Sequence, residues 1–255
     1  MAGVSVTIYL HVAVGAILSA VFLVPISSGA DSAATGQQTH SIRREIPHKV
    51  DLQYLLFLPK DYETSTNQWP LILYLHGGSP RGEDISQMKR WGLTGKVEAE
   101  PNFPFIVVSP QCHNGEIWTD TDALAAILDE VASSHRVDPD RVYVTGHSMG
   151  GRGALYAGYK MPDRFAAVVS LAPVSLITAW GGKLAKLPLW LFHGPNDQFT
   201  PLKEVEELVR ATEAAGGHPQ LTVLPERDHY ILDVYDRPDL YKWLAQQKRK
   251  PPAAE

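Results

Sequence analysis

Cysteine is nearly absent from this chain, since Cys112 is the only one among 255 residues. A single cysteine excludes an intrachain disulfide and every zinc site that needs several cysteine ligands. Basic clusters are also scarce apart from residues 248–250, and 23 Lys and Arg against 28 Asp and Glu give a net charge of −5. Such a chain is not expected to bind nucleic acid. Internal repeats and heptads are missing, which excludes a solenoid and a coiled coil.

Charged side chains are missing from residues 1–30, which contain no Asp, Glu, Lys or Arg. Residues 12–26 are almost all apolar, and the small residues Ser28 and Ala30 follow them. An apolar run followed by small residues is typical of a signal peptide. We therefore predict a signal peptide over residues 1–30 and a secreted or periplasmic protein. The alternative is a retained N-terminal anchor with a membrane as partner, because the run approaches a spanning length of about 20 residues.

Short apolar runs separated by amphipathic stretches make up the rest of the chain. The runs that predict strands are residues 50–58, 71–75, 105–109, 142–145, 166–171, 187–192 and 221–224. The stretches with helical spacing are residues 88–100, 121–135, 202–215 and 240–247. Strands that alternate with helices form a mainly parallel sheet with helices on both faces. The pattern predicts one α/β domain over residues 46–247, a flexible lead-in over residues 31–45 and a disordered tail over residues 248–255.

The sequence Gly-His-Ser-Met-Gly occupies residues 146–150, between a predicted strand that ends at Thr145 and a predicted helix over residues 151–160. This pattern is typical of a sharp strand-to-helix turn that holds a serine in a strained conformation with its hydroxyl exposed. Glycine is needed on both sides because side chains there would meet the neighbouring strand and helix. We therefore predict that Ser148 is a nucleophile. The alternative is a serine in an ordinary tight turn.

A glycine-rich loop, His76-Gly77-Gly78, follows the strand predicted over residues 71–75. A serine that attacks a carbonyl group creates an oxyanion, which is stabilised by N–H groups fixed in advance. The backbone N–H of Met149, where the predicted helix starts, is one candidate donor, and the backbone N–H of Gly78 is the other. The alternative is a plain loop in which His76 is a structural hydrogen-bonding residue.

Two more polar side chains follow late strands, at the edge of the sheet where such folds place their active sites. Asp197 comes after the run 187–192, and His229 comes after the run 221–224. The aspartate can fix the tautomer of the histidine, and the histidine can take the serine proton and return it to the leaving group. Asp197 has the alternative of a turn residue, because Pro-Asn-Asp is also turn chemistry. His218 is the competing histidine, but it precedes the last strand and is expected at its opposite end.

These motifs resemble those of the α/β-hydrolase superfamily. The matching segments lie within about residues 50–245 and are residues 75–78, 81–84, 137–151, 162–167 and 192–197. Within the superfamily the chain is similar to small secreted esterases, dienelactone hydrolase-like proteins and predicted peptidases related to polyhydroxybutyrate depolymerases. The resemblance implies an α/β-hydrolase fold and no metal or cofactor. The residues that it implies are Ser148, Asp197 and His229 as catalytic groups and Met149 and Gly78 as oxyanion donors.

The substrate pocket has three aromatic candidates. Tyr230 is expected to narrow it, and Trp118 and Trp180 are candidates for its wall, with ordinary packing as the alternative for both tryptophans. The short spacing between Ser148 and Asp197 leaves no room for a large inserted lid. A site without a lid favours short or exposed acyl groups over long lipid chains.

The hypothesis from sequence is a serine hydrolase that cleaves carboxylic esters through an acyl-enzyme. Acetyl- or feruloyl-type esters are the expected substrates, either as small molecules or attached to polysaccharide. Two alternatives stay open, a serine peptidase of the prolyl-oligopeptidase-like type and a non-catalytic binding protein with this fold. No propeller or capping domain that would gate a peptide site is visible in the sequence. An intact set of Ser148, Asp197 and His229 argues against a non-catalytic protein.

Overall fold

Seven strands form one sheet in the computed structural model, which describes residues 49–249. In chain order the strands are β1 (Tyr54–Phe57), β2 (Trp69–Leu75), β3 (Ile106–Pro110), β4 (Val137–His147), β5 (Ala167–Leu171), β6 (Leu189–His193) and β7 (Gln220–Val223). Their order across the sheet is β1-β3-β2-β4-β5-β6-β7. Strand β1 lies at the edge and runs antiparallel to β3, whereas all other neighbours are parallel. The mainly parallel sheet with the first strand at its edge is therefore confirmed.

Every residue of the strands β3, β5 and β6 is buried. Parallel strands covered on both faces are continuous apolar runs, and this is why these segments show no alternation in the sequence. The covering helices are α1 (Gly92–Ala99), α2 (Thr121–Ser134), α3 (Met149–Lys160), α4 (Gly181–Leu184), α5 (Leu202–Ala214) and α6 (Pro238–Gln246). One buried cluster joins the sheet to α2, α3, α4 and α5, and a second joins the other face to α1 and α6. Helices on both faces confirm the predicted α/β fold.

The predicted helix over residues 88–100 is divided in two. A 3₁₀ helix covers Ile85–Arg90, and α1 begins only at Gly92. Between them Trp91 has an extended backbone, with φ −130° and ψ 141°, and Gly92 follows with φ +56°. Apolar spacing continues through the break because Leu93 and Val97 of α1 still face the core. The spacing therefore did not indicate the break, which leaves the Trp91 side chain exposed.

Strand β4 is longer than the predicted run 142–145, because it begins at Val137 and continues through residues 138–141, which are partly or fully exposed. The carboxyl ends of β2, β4, β6 and β7 lie at one edge of the sheet, so the loops that follow them converge there. At the end of the described chain, the backbone N–H of Arg249 donates to the Asp140 carbonyl (2.7 Å). This hydrogen bond ties the end of the described chain to strand β4, and residues 250–255 of the predicted tail lie outside the described residues.

The predicted signal peptide over residues 1–30 and the lead-in over residues 31–45 lie outside the described residues. From Lys49 to Arg249, none of the helices combines the length and the apolar character that crossing a membrane requires.

Candidate active site

Ser148 occupies the turn between β4 and α3 with φ 59° and ψ −118°. Positive φ is strained for a non-glycine residue, and here the close packing of the turn imposes it. A Cβ on Gly150 would lie 1.8 Å from the Leu75 carbonyl oxygen, and one on Gly146 would lie 2.4 Å from the Gly150 carbonyl carbon. The two glycines allow α3 to pack closely against β2 and β4. Ser148 therefore lies at the carboxyl end of β4 and is partly exposed.

The structure brings Ser148, Asp197 and His229 into one hydrogen-bonded chain. His229 Nδ1 lies 2.8 Å from Asp197 Oδ2, and His229 Nε2 lies 2.8 Å from Ser148 Oγ. Each residue comes from the loop after a different strand, namely β4, β6 and β7. The competing His218 immediately precedes β7 and so sits at the opposite end of that strand. An Nδ1–H that faces a carboxylate leaves Nε2 free to accept the serine proton.

Asp197 is buried, yet it remains a carboxylate. Burial by itself would raise its pKa, but hydrogen bonds from His229 and from the backbone N–H groups of Phe199 and Thr200 outweigh burial, and the pKa is lowered. Those N–H groups donate to Oδ1 at 2.8 and 3.1 Å, whereas Oδ2 faces the histidine. Asp197 therefore makes the hydrogen bonds expected of a turn residue, and it also contacts His229.

The loops that carry the acid and the base touch through their backbones. A Cβ on Gly194 would lie 2.4 Å from the carbonyl oxygens of both Arg227 and Asp228. The N–H of Asn196 donates to the Arg227 carbonyl at 3.0 Å. Only glycine at position 194 leaves room for the two loops to approach this closely, and this approach brings Asp197 to His229.

The oxyanion donors predicted from sequence lie beside the serine. Met149 is the first residue of α3, where backbone N–H groups have no acceptor within the helix. Gly77 and Gly78 line the same cavity as Ser148, and a Cβ on Gly77 would lie 3.6 Å from Ser148 Cβ.

His76 fixes the peptide group between Gly77 and Gly78. The N–H of Cys112 donates to His76 Nε2 (3.0 Å), so Nδ1 carries the proton and donates to the Gly77 carbonyl (2.6 Å). Burial lowers the pKa of His76 to about 4, which keeps the ring neutral. In a trans peptide the C=O and N–H groups point in opposite directions. The hydrogen bond to the Gly77 carbonyl therefore turns the Gly78 N–H away from His76.

His147 links the nucleophile to the base, a role that the sequence reasoning missed. Its Nε2 lies 2.8 Å from the His229 carbonyl oxygen, and the two rings are 5.0 Å apart. Burial lowers the pKa of His147 to about 4, so the neutral ring donates from Nε2 to that carbonyl. The second position of the Gly-His-Ser-Met-Gly motif gives no sign of this contact, which depends on a loop 82 residues away.

A cavity of about 460 Å³ opens at Ser148. It is lined by Tyr74, Gly77, Gly78, Ser79, Pro80, Arg81, Trp91, His147, Ser148, Phe199, His229, Tyr230 and Leu232. Tyr230, Phe199 and Trp91 are 63%, 59% and 54% exposed, and Phe199 lies against His229 with ring centroids 4.5 Å apart. Sequence reasoning missed Phe199, Trp91 and Arg81. A larger cleft of about 920 Å³, around Trp69 and Phe105, contains none of the three catalytic candidates.

The two tryptophans predicted as pocket walls lie elsewhere, which corrects that part of the prediction. Trp118 is buried, and its Nε1 donates to the His76 carbonyl at 2.9 Å. It therefore lies behind residues 76–82, the oxyanion loop. Trp180 is buried against Tyr156 and Tyr159 of α3. Both side chains find partners in the interior, so their rings do not reach the cavity.

No group of three or more His, Cys, Asp and Glu side chains within residues 49–249 is arranged to hold a metal ion.

Comparison with known proteins gives a match to the family model described as "Putative esterase", over residues 78–224, more than half of the chain. A bifunctional acetylxylan esterase/xylanase of Neocallimastix patriciarum is 29% identical over 149 residues, which are 55% of this chain and 21% of that protein. An S-formylglutathione hydrolase of Rattus norvegicus is 43% identical over 120 residues, 45% of this chain and 40% of that protein. The chain thus spans less than half the length of either relative. The crystal structure of a thermostable esterase superimposes with a TM-score of 0.70 and 26% identity, covering 78% of this chain and 60% of that one.

Proposed function

The chain belongs to this esterase family, and from that premise we propose that it is a serine hydrolase that cleaves carboxylic esters through an acyl-enzyme intermediate. The observation that carries the proposal is the hydrogen-bonded chain from Ser148 Oγ through His229 to Asp197, with both contacts at 2.8 Å.

In the first step His229 Nε2 takes the proton of Ser148 as Oγ attacks the ester carbonyl. Asp197, an ionised carboxylate, stabilises the imidazolium that forms. The negative charge on the former carbonyl oxygen is met by the N–H groups of Met149 and Gly78. His229 then gives its proton to the departing alcohol, which leaves the acyl group on Ser148. Water activated by the same histidine releases the acid and restores the serine.

We propose short-acyl or aromatic esters, of the acetyl or feruloyl type, as substrates. The cavity of about 460 Å³ is open and has three exposed aromatic side chains at its rim, an arrangement that fits a small or planar acyl group. The likeness to a protein named as an acetylxylan esterase supports the same class of ester and allows a polysaccharide-linked substrate.

The test is the hydrolysis of p-nitrophenyl acetate, butyrate and octanoate by the full chain, beside Ser148→Ala. We expect acetate to be preferred and kcat to fall by on the order of 10⁴-fold or more in the variant. Equal rates in both proteins would reject the serine mechanism. Turnover of casein with no turnover of esters would instead favour a peptidase.

We also propose that residues 1–30 direct export and are removed. N-terminal sequencing of the protein recovered outside the cytoplasm is expected to begin at Asp31. A first residue of Met1 on a membrane-associated protein would favour the retained anchor.

A further inference from the structure

The described residues that line the cavity at Ser148 include a single Lys, Arg, Asp or Glu side chain. The lining includes Arg81 and contains no Asp or Glu. Arg81 lies in the loop that supplies the oxyanion donor, and its Nη2 is 3.8 Å from the position that a Cβ on Gly78 would take. A cation is thus placed at the wall of the cavity, next to the oxyanion loop.

The guanidinium of Arg81 is anchored but not neutralised. Nε donates to the Gly78 carbonyl at 3.0 Å, and Nη1 donates to the Glu116 carbonyl at 3.1 Å. Within residues 49–249 Arg81 has no carboxylate partner, and Nη2 has no acceptor. Six of the described arginines pair with a carboxylate, namely Arg141, Arg164, Arg210, Arg227, Arg237 and Arg249. Arg90, Arg136 and Arg152 lack such a partner, as Arg81 does, but they do not line the cavity. Two backbone anchors hold the Arg81 head group in place and leave N–H donors for a ligand.

We propose that Arg81 binds a carboxylate on the substrate, so that the site prefers esters that carry a negative charge. The inference rests on the proposed esterase function and adds the charge of the substrate to it. A guanidinium whose orientation is already fixed suits a carboxylate, because its planar donors match the carboxylate oxygens. The cavity is open to solvent, so salt weakens the attraction. We therefore expect a preference of about tenfold, at the lower end of hydrogen bonds to charged groups.

The experiment measures kcat/KM for two pairs of esters with the full chain. p-Nitrophenyl acetate against mono-p-nitrophenyl succinate places the carboxylate on the acyl side. Methyl 4-acetoxybenzoate against 4-acetoxybenzoate places it on the alcohol side. Arg81→Gln removes the charge, and Arg81→Lys keeps it. Arg90→Gln is the matched control, because Arg90 is an exposed cation near the mouth that does not line the cavity. Spontaneous hydrolysis is subtracted with Ser148→Ala.

The readout is the ratio of kcat/KM for the charged ester to that for the neutral ester. Intrinsic reactivity and any general damage to the oxyanion loop cancel in the comparison of ratios between proteins. We expect the ratio of one pair to fall about tenfold in Arg81→Gln, to be partly kept in Arg81→Lys and to be unchanged in Arg90→Gln. The pair that responds identifies the side of the ester that carries the carboxylate. The same ratio should fall in the wild type as salt is raised.

Two failures are distinguishable. Turnover of the neutral esters with ratios that do not move in Arg81→Gln would overturn the carboxylate inference and leave the esterase proposal intact. An equal fall in Arg81→Gln and Arg90→Gln would also overturn it, since the effect would then be general surface charge. Absence of turnover for all four esters would reject the proposed function itself.

Discussion

On one side of Ser148 lie the acid and base loops, residues 193–200 and 225–230, and on the other lies the oxyanion loop, residues 76–82. The acid–base side is centred on the buried carboxylate of Asp197, which hydrogen bonds keep ionised. The oxyanion side is held by the neutral ring of His76 and carries the cation Arg81. In the proposed reaction a positive charge develops on the histidine, on the side of the negative Asp197. A negative charge develops on the ester oxygen, on the side of the oxyanion donors and the cation Arg81.

The largest effect is expected from removing the negative charge of the acid–base side. Asp197→Asn should lower kcat about 10⁴-fold, because an amide can hold the histidine in the wrong tautomer. Steady-state kinetics on p-nitrophenyl acetate measures this. Asp228→Asn is the matched control, since this exposed carboxylate accepts the Tyr230 N–H within its own loop. Losses of equal size in the two variants would contradict a special role for Asp197.

The contact between the two loops of the acid–base side can be broken without touching a catalytic group. In Gly194→Ala the new Cβ would meet two carbonyl oxygens at 2.4 Å and push the loops apart. We expect kcat to fall about 100-fold and the free energy of unfolding to fall by about 1–3 kcal/mol. Gly182→Ala is the control, because a Cβ there meets nothing within 4 Å. In helix α4 it should stabilise by up to about 1 kcal/mol. Wild-type kcat in Gly194→Ala would show that the loops are not coupled.

A substitution on the oxyanion side should lower kcat less than one on the acid–base side, because the hydrogen bond that it removes is between neutral groups. Trp118→Phe removes the donor to the His76 carbonyl and keeps most of the ring. We expect kcat to fall up to about tenfold with little change in KM, in line with about 1 kcal/mol for one hydrogen bond. Trp180→Phe, also buried but packed on α3, should leave kcat unchanged. A rise in KM alone for Trp118→Phe would instead place this ring in substrate binding.

The smallest effect concerns stability against pH. His76 and His147 have pKa values lowered to about 4, mainly by burial. Between about pH 6.5 and 4 the unfolded chain binds protons at these positions that the folded chain does not, so the free energy of unfolding should fall as the pH falls. Below that range the lowered pKa of Asp197 adds a further loss.

Urea unfolding at pH 7.5, 5.5 and 4.5 measures the slope. His147→Asn should flatten it, whereas His218→Asn should not, because His218 is exposed. An unchanged slope in His147→Asn would mean that the buried ring does not resist protonation.

The sequence predicted those parts of the site whose requirements are local. Gly146 and Gly150 are dictated by a turn of five residues. Asp197 follows the continuous apolar run of β6, and His229 follows the last predicted strand, β7. The order of the runs therefore sufficed to predict the parallel sheet and the convergence of the loops. The edge strand β1 could be predicted because residues 50–58 alternate before they run apolar, and the structure shows that strand half-buried.

The remaining features depend on contacts between distant segments. Trp118 was expected at the cavity, but its indole N–H is bound by the His76 carbonyl, 42 residues away. Trp91 reaches the rim only because a predicted helix breaks there. Phe199 is exposed at the rim because its backbone N–H is held by Asp197. Residue type and spacing do not reveal such contacts, since each is decided by the path of a loop.

The proposed function requires that Ser148 is a nucleophile activated by His229. The most direct measurement is peptide mapping by mass spectrometry after treatment with diisopropyl fluorophosphate, which phosphorylates activated serines. We expect one adduct, on Ser148 in the wild type, and its loss in His229→Ala. An unmodified Ser148, or an adduct that forms equally fast without the histidine, would contradict it.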